Sequence, residues 1–412
     1  MIAWARIGDG SSLATADDSS SEDASRRQRL IDIAHTLGPA FRERSSRYDR
    51  EASFPFENFA DLREAGFYGL CIPQRYGGLG ASFADYMQIG ATIGEYCAMT
   101  ALTFNMHTQT VLWTGLAADD LDMDEAQRAR HEQMRSALYS RILEQGALQS
   151  QPLSEGIAQG ATQGFATTAE RVEGGFRVNG KKIFASLSGA ATAYNITCVT
   201  PGEESIHFLS VSADDPGVEI VGPWDPLGMR GTVSRTLLFR DAFVSDDRVL
   251  LPEGIYNQLA ARWPYVYMTL TPAYVGLTKA VLMFVENYLS SVPPAGITAR
   301  RDVPQKQYGW AEIQIMYERS RALFDRVAEE AAVDPTPAML RRALAATYTV
   351  METAPAVASL AIRVCGGVSM LREFPLEQYY RDARCGALML PWSAEICLDR
   401  LGRHGIFPDE EI

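Results

Sequence analysis

The sequence predicts an α+β protein whose helical and strand-forming parts are segregated along the chain. Apolar residues recur at helical spacing from about Ser25, at a period of two between about Gln151 and Leu251, and at helical spacing again from about Ile255. A helical block, a β block and a second helical block exclude the strand–helix alternation of a doubly wound parallel sheet. With 412 residues, the chain is long enough for two or three units with substantial cores.

Residues 1–24, with "DGSSLATADDSSSEDAS", are polar, acidic and serine-rich and read as a mobile tail. Residues 25–150 form the expected N-terminal helical domain. "RRQRLIDIAHTLGPAFRERSSRYD" sets Leu30, Ile33, Ala34 and Leu37 on one face, and "FENFADLREAGFYGLCIP" repeats the pattern with Phe59, Leu62 and Phe67. "QRYGGLGAS" interrupts it. Residues 83–119 read as buried helix and 120–146 as a charged, exposed helical segment. Residues 151–252 form the β domain. "GFATTAERVEGGFRVNGKKIFASL" alternates apolar and polar residues and carries Asn179-Gly180, a pair suited to the two positive-φ positions of a type I′ hairpin turn. "ESIHFLSVSA", "GVEIVGP" and "SRTLLFRDAFVS" are further strand candidates. Residues 253–412 return to amphipathic helix, with Pro355 an expected kink.

The formal net charge of −13 and the absence of a long Lys/Arg stretch argue against a nucleic-acid partner. The six cysteines are scattered without a C-x-x-C pair and read as small buried residues in a reducing compartment. "MIAWARIGDG" lacks the apolar core of a signal peptide, and no run approaches the roughly 20 apolar residues that cross a bilayer. The expectation is a cytoplasmic protein with no membrane partner. No G-x-G-x-x-G, Walker A or G-x-S-x-G motif is present, and no His/Cys/Asp cluster has metal-ligand spacing.

Four stretches in order, "IPQRYGGLGAS", "QPLSEG…TTAERVEGGFRVNGKKIFASLSGA", "LGMRGTVSRTLLFRDAFVSDDRVL" and "RVCGGVSMLREFPLEQYYRDAR", resemble the acyl-CoA dehydrogenase family and span about residues 50–400. The resemblance implies a barrel-like β-sandwich at the centre and a four-helix-bundle C-terminal domain. It also implies bound FAD, an acyl thioester substrate on coenzyme A or a carrier protein, and a homo-oligomer, a tetramer or dimer, with flavin sites shared between subunits. Gln151, Leu153 and Ser154 fall at the family's turn beside the flavin pyrimidine. Phe184 falls where the family packs an aromatic on the flavin ring, and Ser186 at its hydroxyl beside N5. Two residues apart on one strand, Phe184 and Ser186 are expected to face the same side. Arg363, Gly366 and Gly367 match a segment that meets the adenosine end of a neighbour's FAD; the bland alternative for the glycines is a helix C-cap. At Gln159, Gly160 and Ala161 the chain departs from the family's Gly-Ser-Asp. "REFPLEQYYRDAR" reads as structural, its Arg and Asp residues in buried ion pairs.

The resemblance also implies a glutamate base for the proton α to the thioester carbonyl. Its slot falls at Leu390 or Pro391, and the alternative slot used by some members falls near Val266 or Tyr267. None is a carboxylate. Three readings follow. An acyl-thioester dehydrogenase with a relocated base, for which Glu395 is the nearest candidate, is favoured because "YRDAR" and "LGMRGTVSRTLLF" resemble dehydrogenases more closely. A reduced-flavin-dependent monooxygenase on the same fold needs no such base, and there His107 could manage a proton near the flavin, the bland alternative being a core histidine. A flavin-binding protein with little catalysis comes third.

Overall fold

The computed structural model describes residues 17–156, 165–203, 205–292 and 298–407. The N-terminal part comprises α1 (Asp17–Glu51), α2 (Phe56–Glu64), α3 (Phe83–Tyr96), α4 (Ala98–Thr114), α5 (Leu116–Asp119) and α6 (Glu125–Leu143). The first helix begins at Asp17, inside the segment expected to be a tail. The pattern that ran on to Phe67 stops at Glu64, because Gly66 turns left-handed at φ +78. A full capping box, Ser82 with Asp85, starts α3. Far from being wholly exposed, α6 buries Met134, Leu138, Tyr139 and Ile142, and its buried Arg135 pairs with Asp119 and Glu132.

The β part is one seven-stranded, largely antiparallel sheet: β1 (Gln149–Ser150), β2 (Thr168–Val172), β3 (Gly175–Ala185), β4 (Ala193–Val199), β5 (Ile206–Ser212), β6 (Val218–Val221) and β7 (Arg235–Ser245). The path runs β1-β4-β2-β3-β7-β6, with β5 also on β4. Strands β5 and β7 touch although they lie far apart on that path, so the sheet curls on itself. The hairpin between β2 and β3 turns at Glu173-Gly174, not at Asn179-Gly180. Asn179 and Gly180 sit inside β3 at a bulge. There the Asn179 amide exchanges two hydrogen bonds of 2.9 Å with Asp241, and a Cβ on Gly180 would lie 2.7 Å from the Thr167 Cα.

The C-terminal part comprises α7 (Ile255–Arg262), α8 (Thr271–Ser290), α9 (Pro304–Glu330), α10 (Pro337–Cys365), α11 (Leu376–Cys385) and α12 (Ala394–Ile406). Helices α8, α9 and α10 pack mutually, α11 and α12 lie on α10, and α10 runs on through Pro355. Residues Pro264–Ser290 are long and apolar enough to cross a bilayer, contrary to the sequence reading, but 78% of that apolar window is buried inside the fold. Its apolarity reflects burial on all sides, since α3, α4, α9 and α10 surround α8.

Helices α3 and α8 approach closely at Gly94 and Gly276; a Cβ on Gly276 would stand 2.2 Å from the Ala91 carbonyl oxygen. Gly276→Ala should therefore push the two helices apart and cost about 1–3 kcal/mol. Thermal unfolding measures this, and an unchanged midpoint would count against the close approach.

Candidate functional site

The site is built where β3 ends. Beyond the bulge at Asn179-Gly180, the pairing of β3 with β7 shifts register a second time between Lys182 and Ala185. In that irregularity Phe184 adopts φ +52, a conformation costly for a bulky side chain, and the residue is 67% exposed. Ser186, just past the strand, is buried. The shared face expected from their parity is lost, because the irregular backbone between them breaks the alternation of the pleat.

Ser186 belongs to a buried row of hydroxyls. Its Oγ lies 2.8 Å from the Ser234 Oγ, which lies 2.8 Å from the Thr232 Oγ1. Thr232 donates to the Met229 carbonyl at 2.8 Å, and Ser150 donates to the Ser186 carbonyl at 2.6 Å. Met229 and Val233 flank the turn Arg230–Thr232, both left-handed at φ +54 and +44. That is strained for a β-branched valine, so the surroundings must hold it. The Arg230 Nε donates to the Asp49 carbonyl at 2.7 Å, and the Gly231 N–H meets the Met99 Sδ at 3.0 Å. The Asp382 carboxylate accepts the Met229 N–H. Arg381 pairs with Asp49 at 2.6 Å and with Glu377 at 2.8 Å, as "YRDAR" suggested. Asp382 differs from that reading. It is buried without an ion-pair partner among the described residues, and desolvation pushes its carboxyl up to about 7.

On the other side of Ser150, the buried Gln151 accepts a hydrogen bond from the Thr110 Oγ1 at 2.9 Å, and the Asn195 Nδ2 donates to that same oxygen at 2.9 Å. The Gln151 Nε2 is buried with no partner among the described residues. Leu153 and Ser154 are half-buried, and the Ser154 carbonyl accepts the Ile183 N–H at 2.8 Å, tying this turn to β3. Glu155 then anchors the turn. Its carboxylate lies 2.6 Å from the Lys182 Nζ and accepts the N–H groups of Ala166 and Thr167. Burial disfavours its charge, but Lys182 and these donors outweigh burial and hold the carboxyl below its usual range. Gln159, Gly160 and Ala161 lie outside the described residues.

Arg363, Gly366 and Gly367 form a second group at the end of α10. Gly366, at φ +88 and ψ −179, occupies a region open in practice only to glycine, and its N–H caps α10 through the Ile362 carbonyl at 2.8 Å. A Cβ on either glycine would meet nothing within 4 Å. Arg363 is exposed, with no ion pair among the described residues. The helix cap and an approachable turn therefore coexist.

The expected proton-handling residues fare differently. His107 is fully buried with both ring nitrogens engaged: Nε2 faces the Tyr68 carbonyl at 2.9 Å, and Nδ1 accepts the Gln149 N–H at 3.1 Å. This fixes the neutral tautomer protonated on Nε2, and burial pulls the imidazole down to about 4. It is a core histidine, with no nitrogen left for a flavin. Glu395 is exposed in the first turn of α12, behind the Ser393 cap, where an acid suits the helix start. That is no setting for a buried base. Leu390 is exposed, and the buried Trp392 packs on Tyr267 at 5.8 Å between ring centroids. Among the described residues four acids are buried, and each is committed: Asp49 to Arg381, Asp85 to Arg26 and Arg27, Glu155 to Lys182, and Asp382 to Met229 and Gln378.

Profiles of three domains match in chain order: the acyl-CoA dehydrogenase N-terminal domain over residues 38–146, the middle domain over 153–242 and the C-terminal domain over 298–404. The chain belongs to the acyl-CoA dehydrogenase family. Among its acyl-CoA dehydrogenase-like relatives is a putative acyl-CoA dehydrogenase, YdbM of Bacillus subtilis (strain 168), 26% identical over 356 residues, covering 85% of this chain and 90% of the relative. The amino sugar nitrososynthase DnmZ of Streptomyces peucetius is 26% identical over 381 residues, covering 89% and 90%. The FMN-bound structure of TdsC, a dibenzothiophene monooxygenase from Paenibacillus sp. A11-2, superposes with a TM-score of 0.79 at 22% identity, covering 92% of this chain and 97% of that one. The acyl-CoA dehydrogenase fold is thus a flavoenzyme fold shared here by dehydrogenases and oxygenases.

The residues present fit a flavin. Gln151 offers an unsatisfied buried donor, Phe184 a flat exposed wall, and Gly366–Gly367 a turn that backbone or phosphate can approach. Sequence reasoning missed Thr232, Ser234, Thr110, Asn195 and the Glu155–Lys182 pair. The hydroxyls two apart in "GTVS" were the available signal for the first two; the others come together only through folding.

Proposed function

We propose that this chain is a reduced-flavin-dependent monooxygenase acting on a nitrogen or sulfur heteroatom. The observation that carries this reading is the state of the acids: among the described residues the four fully buried carboxylates are already committed, and Glu395 is exposed. Dehydrogenation of a thioester needs a free, desolvated base within reach of the α-carbon; oxygen transfer does not. The nitrososynthase and dibenzothiophene monooxygenase relatives support the same reading.

Bound reduced flavin would supply the activation of oxygen. The chain's own residues would bind and orient it: the Gln151 side chain would donate to a pyrimidine carbonyl, the Phe184 ring would form one wall, and Ser186 would stand beside the N5 edge. For an FAD, Arg363 with Gly366 and Gly367 would hold the diphosphate or adenosine half bound to a partner copy, in an assembly of two or four subunits. A cleft of about 530 Å³ lined by Phe54, Phe56, Phe59 and Tyr68, together with the charged Arg63 and Glu64, is a candidate entry for substrate.

The test supplies the protein with oxygen and with FMN or FAD kept reduced by a flavin reductase, and follows oxygenated products from a panel of amines and thioethers. In parallel, acyl thioesters are added anaerobically to the oxidised flavoprotein. Product from the first arm without bleaching in the second is expected. Bleaching by a thioester would instead favour dehydrogenation, the second reading, which the YdbM relative and the "YRDAR" signature support. Flavin bound without turnover in either arm would leave the binding protein. Glu395→Gln should leave turnover within about twofold of wild type, because the exposed carboxylate touches nothing that reacts. A loss of a hundredfold or more would restore Glu395 as the base.

A further inference from the structure

The row of hydroxyls has a polarity that hydrogen-bond arithmetic fixes. A hydroxyl carries one proton and two lone pairs. Thr232 lies 2.8 Å from the Met229 carbonyl, which can only accept, so the single Thr232 proton is spent there. In the 2.8 Å contact between Ser234 and Thr232, Ser234 must then be the donor. Its proton being spent in turn, the 2.8 Å contact between Ser186 and Ser234 must be donated by Ser186. Ser186 is left with lone pairs alone for any further partner. The strained, clamped turn at Met229–Val233 keeps the row in place: Asp382, Asp49 and Met99 each hold one of its groups.

We infer that Ser186 is held as an obligate hydrogen-bond acceptor toward its ligand, so that the site selects reduced flavin over oxidised flavin. This rests on the flavin reading above, with Ser186 beside the N5 edge. Oxidised flavin presents a lone pair at N5, and two lone pairs would face each other. Reduced flavin presents an N–H there, which Ser186 can accept. Ser234 and Thr232 are thus positioning residues: neither touches the ligand, yet together they decide which redox form fits. The preference suits an enzyme that takes its flavin already reduced.

Anaerobic titration of the protein with oxidised and with dithionite-reduced FMN and FAD, following protein fluorescence quenching, gives the ratio of the two dissociation constants. Ser234→Ala frees the Ser186 proton, and Thr232→Val frees it one step further along the row while the Thr232 backbone N–H still satisfies the Met229 carbonyl at 3.1 Å. Each variant should bind oxidised flavin more tightly and shift the ratio by roughly tenfold, equivalent to about 30 mV in the bound potential. Ser234→Thr, which keeps the hydroxyl, should retain the wild-type ratio. Simple loss of structure would weaken both forms, so tighter binding of the oxidised form separates polarity from damage. Flavin bound with a ratio unmoved in both variants overturns the proposal and leaves the flavin reading standing. Binding of neither form by the wild type overturns both.

Discussion

Replacing Lys182 with methionine should lower the unfolding free energy by about 3–5 kcal/mol, the range for breaking one side of a buried ion pair. Lys182 and Glu155 are both withdrawn from water, 2.6 Å apart, and the Lys182 Nζ also donates to the Thr197 carbonyl at 2.8 Å. Methionine fills similar volume but leaves the Glu155 carboxylate facing only the N–H groups of Ala166 and Thr167. The carboxylate must then take up a proton or draw water into the sheet. Lys182→Met combined with Glu155→Gln should recover part of the loss, because no uncompensated charge remains. Urea unfolding of wild type, both single variants and the double variant measures the coupling. A single-variant loss below about 1 kcal/mol would mean that the pair behaves like a surface salt bridge. The same substitution should weaken flavin binding, since Glu155 anchors the turn that presents Gln151 and Ser154.

Asp382→Asn should change how stability depends on pH. Burial raises the Asp382 carboxyl from 3.8 to about 7, while Asp49 and Arg381 nearby act in opposite senses. A carboxyl whose folded value lies above its unfolded one stabilises the fold fully below the unfolded value, and that contribution is lost as pH rises through the folded value. The wild type should therefore lose up to about 4 kcal/mol relative to the variant between about pH 4 and pH 8. Asparagine can still accept the Met229 N–H. Gln378, now 3.3 Å from Asp382 and 3.1 Å from the Ser45 Oγ, can flip its amide to accept from both. Urea unfolding at several pH values across that window tests this, and parallel pH profiles for the two proteins would contradict it.

The segregated α+β order and the family were legible in the sequence because each rests on local pattern: periodicity, glycine placement and short motifs that lie contiguous in the chain. The side chains that give those motifs their chemistry were less legible. Asn179-Gly180 has the residues of a tight turn, yet pairing with β7 makes it a bulge, because Asp241 satisfies the asparagine amide better than solvent would. His107 is chemically suited to move protons, yet Tyr68 and Gln149, 39 residues before and 42 after it, occupy both nitrogens. Ser186 carries a hydroxyl in any conformation, but only the turn at Met229–Val233 decides which way its proton points.

By itself, then, the sequence determined which family of folds the chain adopts and that no carboxylate stands at Leu390, Pro391, Val266 or Tyr267. The tertiary structure alone decided that Glu395 faces solvent, that the four buried acids among the described residues are committed, and that Ser186 spends its proton on Ser234. The reason is physical: periodicity and backbone propensity act over a few residues, whereas burial and hydrogen-bond partnership are set by groups brought together from distant parts of the chain.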